Sequence, residues 1–282
     1  MTDTLTPKQI AALIGLGLFA GLFSGLFGVG GGMIIVPGLV VALRVEHKLA
    51  VGTSLMAIIP ACTVGIISYA FAGSVDWYAG LTVAIGAIAG AQIGSHLLGL
   101  LPRRAAQWVF IAFVMAMIAQ LLIIVPQRTG TMTWSVGHVI ALIGLGLIAG
   151  IAAGLLGIGG GVIVVPIMML LFGVSDLIAK GVSLVMMLPG VLSALIGNLR
   201  GHRVLVRAGL VIGFSAVLTG PLGSRIAHIL PERPANILFA CYLVFVCIMM
   251  IRKALTPDKQ TPDESTPGEP AGESTPDTSP ST

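Results

Sequence analysis

Gly28-Val29-Gly30-Gly31-Gly32, closed by Pro37, lies inside an apolar run from about residue 10 to 44, and it returns as Gly157-Ile158-Gly159-Gly160-Gly161 with Pro166 inside a second run from about 139 to 173. Each copy is a helix-breaking sequence planted in a stretch long enough to enter a bilayer. Non-helical backbone at membrane depth persists only where protein buries it or where it lines a cavity. Paired interruptions in two halves of a chain point to a transporter's binding site. The predicted helix breakers are Gly28 and Pro37 in the first copy and Gly157 and Pro166 in the second.

The composition fixes the environment. Of 282 residues, 56% are hydrophobic and 9% are charged, and the mean hydropathy is +1.03, so too few polar side chains exist to cover a soluble surface. A transmembrane barrel would alternate apolar and polar residues in segments of roughly ten. The runs here are far longer and predict an all-α polytopic membrane protein, whose 38 glycines suit close approach of helices in lipid. Residues 1–9 are expected to form an N-terminal tail and not a cleavable export signal. Cys62, Cys241 and Cys247 stand in apolar segments without ligand spacing, so buried, inert thiols are expected, with no metal and no cofactor. Residues 256–282 turn abruptly to Thr, Pro, Ser, Glu and Asp, which predicts a disordered tail.

At a shift of 129 the chain aligns with itself, matching 15 of the 23 positions from Gly15 to Pro37. Pro60 meets Pro189, Gly94-Ser95 meets Gly223-Ser224, and Leu101-Pro102 meets Leu230-Pro231, with no insertion. Two membrane repeats follow, 10–127 and 139–255, joined by a linker at 128–138. Each holds the interrupted segment and three further spans: about 49–72, 78–100 and 106–125, then about 178–199, 206–229 and 235–252. Apolar runs of ~20 residues are what a bilayer core of ~30 Å requires. In the first half the loops with Arg44 and Lys48, and with Arg103 and Arg104, are basic, and the Asp76 loop carries no base. In the second half the loop with Arg200, Arg203 and Arg207 is basic, and those around Asp176/Lys180 and Glu232/Arg233 are neutral. Because cytoplasmic loops collect Lys and Arg, the repeats are predicted to be inverted, with both termini cytoplasmic. Arg128 in the linker is the one base out of step. Each interrupted segment then forms a hairpin whose second arm, ~12 residues or ~18 Å, is short. The total is eight to ten segments, depending on how that arm is counted.

The duplicated small-x-GxGGG-x(4)-P segment, followed by Ala50-Val51-Gly52-Thr53-Ser54-Leu55, resembles the TauE/SafE sulfite exporter family, also called TSUP. The resemblance spans about residues 10 to 252. It implies a bacterial or archaeal cytoplasmic-membrane protein moving small sulfur-containing anions such as sulfite, sulfonates or sulfoacetate, usually outward. The second half departs from the pattern: Lys180-Gly181-Val182-Ser183 stands where the first has Val51-Gly52-Thr53-Ser54, a hydroxyl replaced by a methyl.

An oxyanion entering a membrane loses hydration that protein donors must replace. A helix beginning at mid-membrane offers unpaired N–H groups and the positive end of its dipole. Met33 and Val162 are expected to begin such helices, with Gly30, Gly31, Gly32, Gly159, Gly160 and Gly161 letting substrate approach the amides. The alternative role for these glycines is tight packing: Gly21, Gly25, Gly28 and Gly32 form a small-residue stripe that would seat one hairpin arm on the other. Thr53, Ser54 and Ser183 are candidate donors to substrate, against the ordinary role of bonding the preceding turn. Among the amides, Gln92 and Asn198 are candidates to face substrate or to bond between helices, and Gln120 stands near a span. Lys180 and Arg200 could attract anions, or serve as snorkelling and topology charges. The midspan absence of Asp and Glu argues against a carboxylate proton relay or cation site.

The leading expectation is a secondary transporter exporting small sulfur anions by alternating access in the bacterial inner membrane, with lipid and a small anion as its partners and no nucleic acid. A coupling proton and uniport are both compatible with the residues. An anion channel or an uptake permease shares much of this sequence. A remote alternative, an intramembrane hydrolase, would need Ser54 paired with His96, with no carboxylate to orient the histidine; no enzyme activity is expected.

Overall fold

A helix starts where its first amides find a cap, and here the first one does so through Thr6. Its hydroxyl accepts from the Gln9 amide, its own amide donates to Gln9 Oε1 at 2.9 Å, and Pro7 follows at the first helical position. The computed structural model describes residues 6–102 and 135–231, with isolated helical positions between 105 and 119 and between 234 and 252. Eight helices are complete among the described residues: α1 (Pro7–Phe27), α2 (Gly32–Ala42), α3 (His47–Phe71), α4 (Trp77–Leu100), α5 (Val136–Leu156), α6 (Gly161–Leu171), α7 (Asp176–Arg200) and α8 (Val206–Ile229). The architecture is all-helical. The helix α1 begins inside the residues assigned above to the N-terminal tail. Gln120, Arg128 and the C-terminal tail lie outside the described residues, as do most of the spans at 106–125 and 235–252.

Six of the helices, with 21 to 25 residues, are long and apolar enough to cross a membrane. The other two, α2 and α6, have 11 residues each, about 16 Å of helix, or roughly half a bilayer core. Side chains are sorted by size. Apart from Leu98, the buried face of α4 is made of small residues and Val83 (Ala79, Gly80, Ala84, Gly86, Ala87, Gly90, Ala91, Gly94 and Ser95), while Leu81, Ile85, Ile88 and Ile93 point outward. Small inside and large apolar outside is the pattern of helices held by close backbone approach in lipid. The outward rule extends to Cys241, which is exposed, correcting the expectation that all three thiols are buried; Cys62 and Cys247 are buried.

Each half's first helix packs on the other half. The most extensive interfaces are α4 with α5 and α1 with α8. Gly17, Gly21 and Gly25 of α1 meet the backbone at Ile212, Ala216 and Gly220 of α8, and Gly146, Gly150 and Gly154 of α5 meet Val83, Ala87 and Ala91 of α4. In both interfaces a Cβ at the glycine would run into a carbonyl. The small-residue stripe therefore seats α1 on α8, not one hairpin arm on the other as expected, because only a neighbouring backbone fills the groove that the missing side chains leave. The contacts rise together in number along both partners, so α1 and α8 are parallel, as are α5 and α4.

The equivalent helices α3 and α7 run antiparallel: Gly52 near the start of α3 abuts the Arg203 carbonyl just past the end of α7, and Gly181 near the start of α7 abuts the Ser74 carbonyl just past α3. Both are the most buried of the six long helices. They form the centre of the bundle.

Candidate functional site

Three left-handed residues out of four make each bend, a geometry open to glycine at no steric cost. In the first, Gly28, Gly30 and Gly31 have φ of 67°, 72° and 74°; in the second, Gly157, Gly159 and Gly160 have 69°, 87° and 82°. Gly28 closes α1 by donating its amide to the Ser24 carbonyl, and Gly157 closes α5 through Ala153. Gly31 and Gly160 then cap α2 and α6 without a side chain, one residue earlier than the expected starts at Met33 and Val162. The first-turn amides of Gly32 and Met33, and of Gly161 and Val162, have no carbonyl four residues back inside their helices and take part in none of the backbone bonds of the bends.

The two bends lie against each other at the centre. A Cβ at Gly32 would strike the Gly157 carbonyl, and one at Gly161 would sit 2.7 Å from the Gly28 carbonyl. Serines lock the arrangement reciprocally. Ser54 Oγ lies 2.8 Å from the Gly157 carbonyl and 2.7 Å from that of Val51; Ser183 Oγ lies 2.6 Å from the Gly28 carbonyl and 2.7 Å from that of Lys180. Each hydroxyl has one proton and two carbonyls within reach. The space between the bends is filled by apolar side chains from equivalent positions: the Met187 methyl lies against both Gly30 and Gly159, and Ile58 against Gly30 and Gly32. Sequence reasoning missed both, since an apolar residue in an apolar span carries no signal.

The remaining candidates are engaged elsewhere. Thr53 Oγ1 donates to the Leu49 carbonyl at 2.7 Å and accepts the Leu205 amide at 2.9 Å, tying α3 to the start of α8. Asn198 is fully buried and donates to the Ala194 carbonyl. Lys180 is buried, not displayed at a surface, and its ammonium sits 3.2 Å from Asp176 Oδ2, so its charge is largely offset. Ser54 is fully buried, and no hydrogen bond joins it to His96 among the described residues.

Gln92 and Arg200 belong to a different place. A cavity of about 430 Å³ opens between the C-terminal ends of α4 and α7, lined by Gln92, Ser95, His96, Arg200 and Arg203, with Gly99, Leu100 and Gly197 completing the wall. Gln92 Nε2 donates to the Ser193 carbonyl at 2.7 Å, Arg203 Nη1 to the Ser95 carbonyl at 3.4 Å, and Lys48 Nζ to the Gly99 carbonyl at 3.4 Å.

The sequence model of the family described as "Sulfite exporter TauE/SafE" matches residues 3–121 and 142–276, nearly the whole chain. The chain belongs to the TauE/SafE sulfite exporter family. Among its similar proteins, Probable membrane transporter protein YunE of Bacillus subtilis is 27% identical over 268 residues, covering 83% of this chain and 96% of the relative. Probable membrane transporter protein MJ0441 of Methanocaldococcus jannaschii is 24% identical over 263 residues, covering 85% and 94%. A shorter match, 36% over 88 residues, links it to Probable membrane transporter protein YdhB of Bacillus subtilis, covering 31% of this chain and 36% of the relative. No solved structure gives a significant match. As a TauE/SafE protein with six membrane-length helices, it is a multi-pass membrane transporter.

Proposed function

We propose that this protein exports small sulfur-containing oxyanions of the sulfite, sulfonate or sulfoacetate class across the cytoplasmic membrane by alternating access. The observation that carries this reading is the meeting of the two glycine bends, where the first turns of α2 and α6 leave amides at Gly32–Met33 and Gly161–Val162 without intrahelical acceptors. Two positive helix ends in a water-poor centre favour an anion over a cation, and glycine lets it reach the amides. Ser54 and Ser183 border this region, whereas Thr53 ties α3 to α8. The family description supports the substrate class, and the relatives' names as membrane transporters support the transport role.

A carrier is favoured over a channel because Met187 and Ile58 fill the space between the bends, so passage requires them to move. The antiparallel course of α3 and α7 supports an inverted pair of repeats (10–127 and 139–255), the architecture in which one bundle rocks against the other. The basic end, with Lys48, Arg200 and Arg203, faces the cytoplasm in this reading.

The test is uptake of labelled sulfite, thiosulfate, sulfoacetate and sulfate into liposomes carrying the purified protein, with Gly31→Leu and Gly160→Leu as site variants. Saturable uptake that folded variants lose is the expected result. Unsaturable flux would mean a channel, and no flux of any of the four across either pH gradient would overturn the sulfur assignment.

A further inference from the structure

We propose that the cavity between the ends of α4 and α7 is a second oxyanion site, separate from the glycine bends, built on Arg200 and Arg203 with Gln92 at its rim. It deepens the transport reading by giving the substrate a waiting place at the basic end.

The charge balance favours an anion. The C-terminal ends of α4 and α7 each present about half a negative charge, roughly one together. Against that stand the guanidinium groups of Arg200 and Arg203 and, at the wall, the ammonium of Lys48. Among the described residues no carboxylate lines the cavity. Among the described residues the Arg203 side chain donates one hydrogen bond, a long one to the Ser95 carbonyl, and a guanidinium has five N–H donors in a fork that matches two oxygens of a sulfonyl or carboxylate head.

Glycine makes the room. A Cβ at Gly99 would sit 2.8 Å from Arg203 Nη2, and one at Gly197 would strike Ser95 Oγ and come within 3.6 Å of Gln92 Oε1. Any side chain there would fill the cavity or displace the polar rim.

The opposite end of the bundle carries different residues at the equivalent positions. At the shift of 129, Gly99, Asn198 and Arg203 correspond to His228, Tyr69 and Ser74. Those three pack together there: His228 Nε2 is 3.1 Å from Ser74 Oγ, its ring centre is 5.2 Å from that of Tyr69, and Tyr69 Oη donates to the Gly25 carbonyl at 2.9 Å. Gln92 and Arg203 replace Pro221 and Ser74, so the polar lining is particular to one half. At about 430 Å³ the cavity falls in the range of small-molecule sites and exceeds what a bare sulfite needs, which admits sulfonates with an organic tail.

The experiment is equilibrium binding of labelled sulfite, sulfate and methanesulfonate to the full chain in phosphatidylcholine nanodiscs. Arg200→Gln, which alters an exposed residue, and Arg203→Gln should each weaken binding by at least about tenfold, with Arg203→Lys intermediate because it keeps charge and loses the fork. Wild-type affinity in both Gln variants, or no binding of any probe to the wild type, would overturn the site. A phosphatidylglycerol headgroup carries similar chemistry. If adding that lipid abolishes solute binding in the wild type, the cavity holds lipid and the proposal fails. Liposome flux separates the two readings: flux with arginine-independent binding removes this site and keeps the carrier, whereas arginine-dependent binding without flux does the reverse.

Discussion

Ser183 Oγ donates across 155 residues of sequence to the carbonyl of Gly28 at 2.6 Å, holding the end of the first half's α1 to the second half's α7. Ser54 makes the equivalent bond to Gly157. These two hydroxyls fasten each bend to the opposite repeat. Ser183→Ala leaves a buried carbonyl short of a donor and should cost about 1–3 kcal/mol. Thermal unfolding in detergent should fall for Ser54→Ala and Ser183→Ala and be largely kept by Ser183→Thr.

The glycines of one bend should differ in tolerance. Gly30→Ala meets the mobile methyl of Met187 and carries mainly left-handed strain, about 1–2 kcal/mol. Gly31→Ala adds a Cβ 2.8 Å from the Ala20 carbonyl, backbone that cannot swing away. The expected order of melting temperature is wild type, then Gly30→Ala, then Gly31→Ala, with Met187→Ala partly restoring only the Gly30 variant.

Met187→Ala removes the side chain that touches both bends. A large-to-small change at a fully buried site costs about 2–5 kcal/mol, and here it also empties the space that blocks passage. Anion flux in liposomes should rise while thermal stability drops. Unchanged flux in the folded variant would count against Met187 as a barrier.

Lys180 and Asp176 form a buried pair at one turn's spacing. Removing one partner strands a charge, a loss of about 3–5 kcal/mol, whereas Lys180→Met with Asp176→Asn removes both charges. The double variant should melt above Lys180→Met alone, which a detergent unfolding series would measure.

Arg44 and His202 adopt φ of 54° and 53° at the positions where the other repeat has Gly173 and Gly73, at 63° and 66°. His202→Gly relieves left-handed strain but loosens the unfolded chain, for a net gain of about 1 kcal/mol or less. A small rise in melting temperature is expected for each glycine variant.

Much of this was legible in the chain, and the reason differs by residue. Gly28 to Gly32 and their copies announce a bend because glycine permits what other residues resist, and Pro37 and Pro166 mark the short arm that follows. Thr53 and Ser183 were visible as polar groups in apolar spans, but which carbonyl each would meet was not. Gln92 and Arg200, chosen separately, share one cavity, a proximity that depends on α4 and α7 lying parallel and side by side. Lys180 looked like a surface charge until Asp176 and burial were known.

A helical membrane protein with two related halves, each broken at a glycine bend, follows from the chain alone, because composition, span length and the 129-residue repeat are local and countable. The packing of the helices sets the rest: each first helix lies on the opposite half, Met187 and Ile58 fill the centre, and a basic cavity opens between the ends of α4 and α7. Apolar residues in lipid look alike along a chain. Which of them meet is set by where backbones approach most closely, and that becomes visible only once the helices are packed.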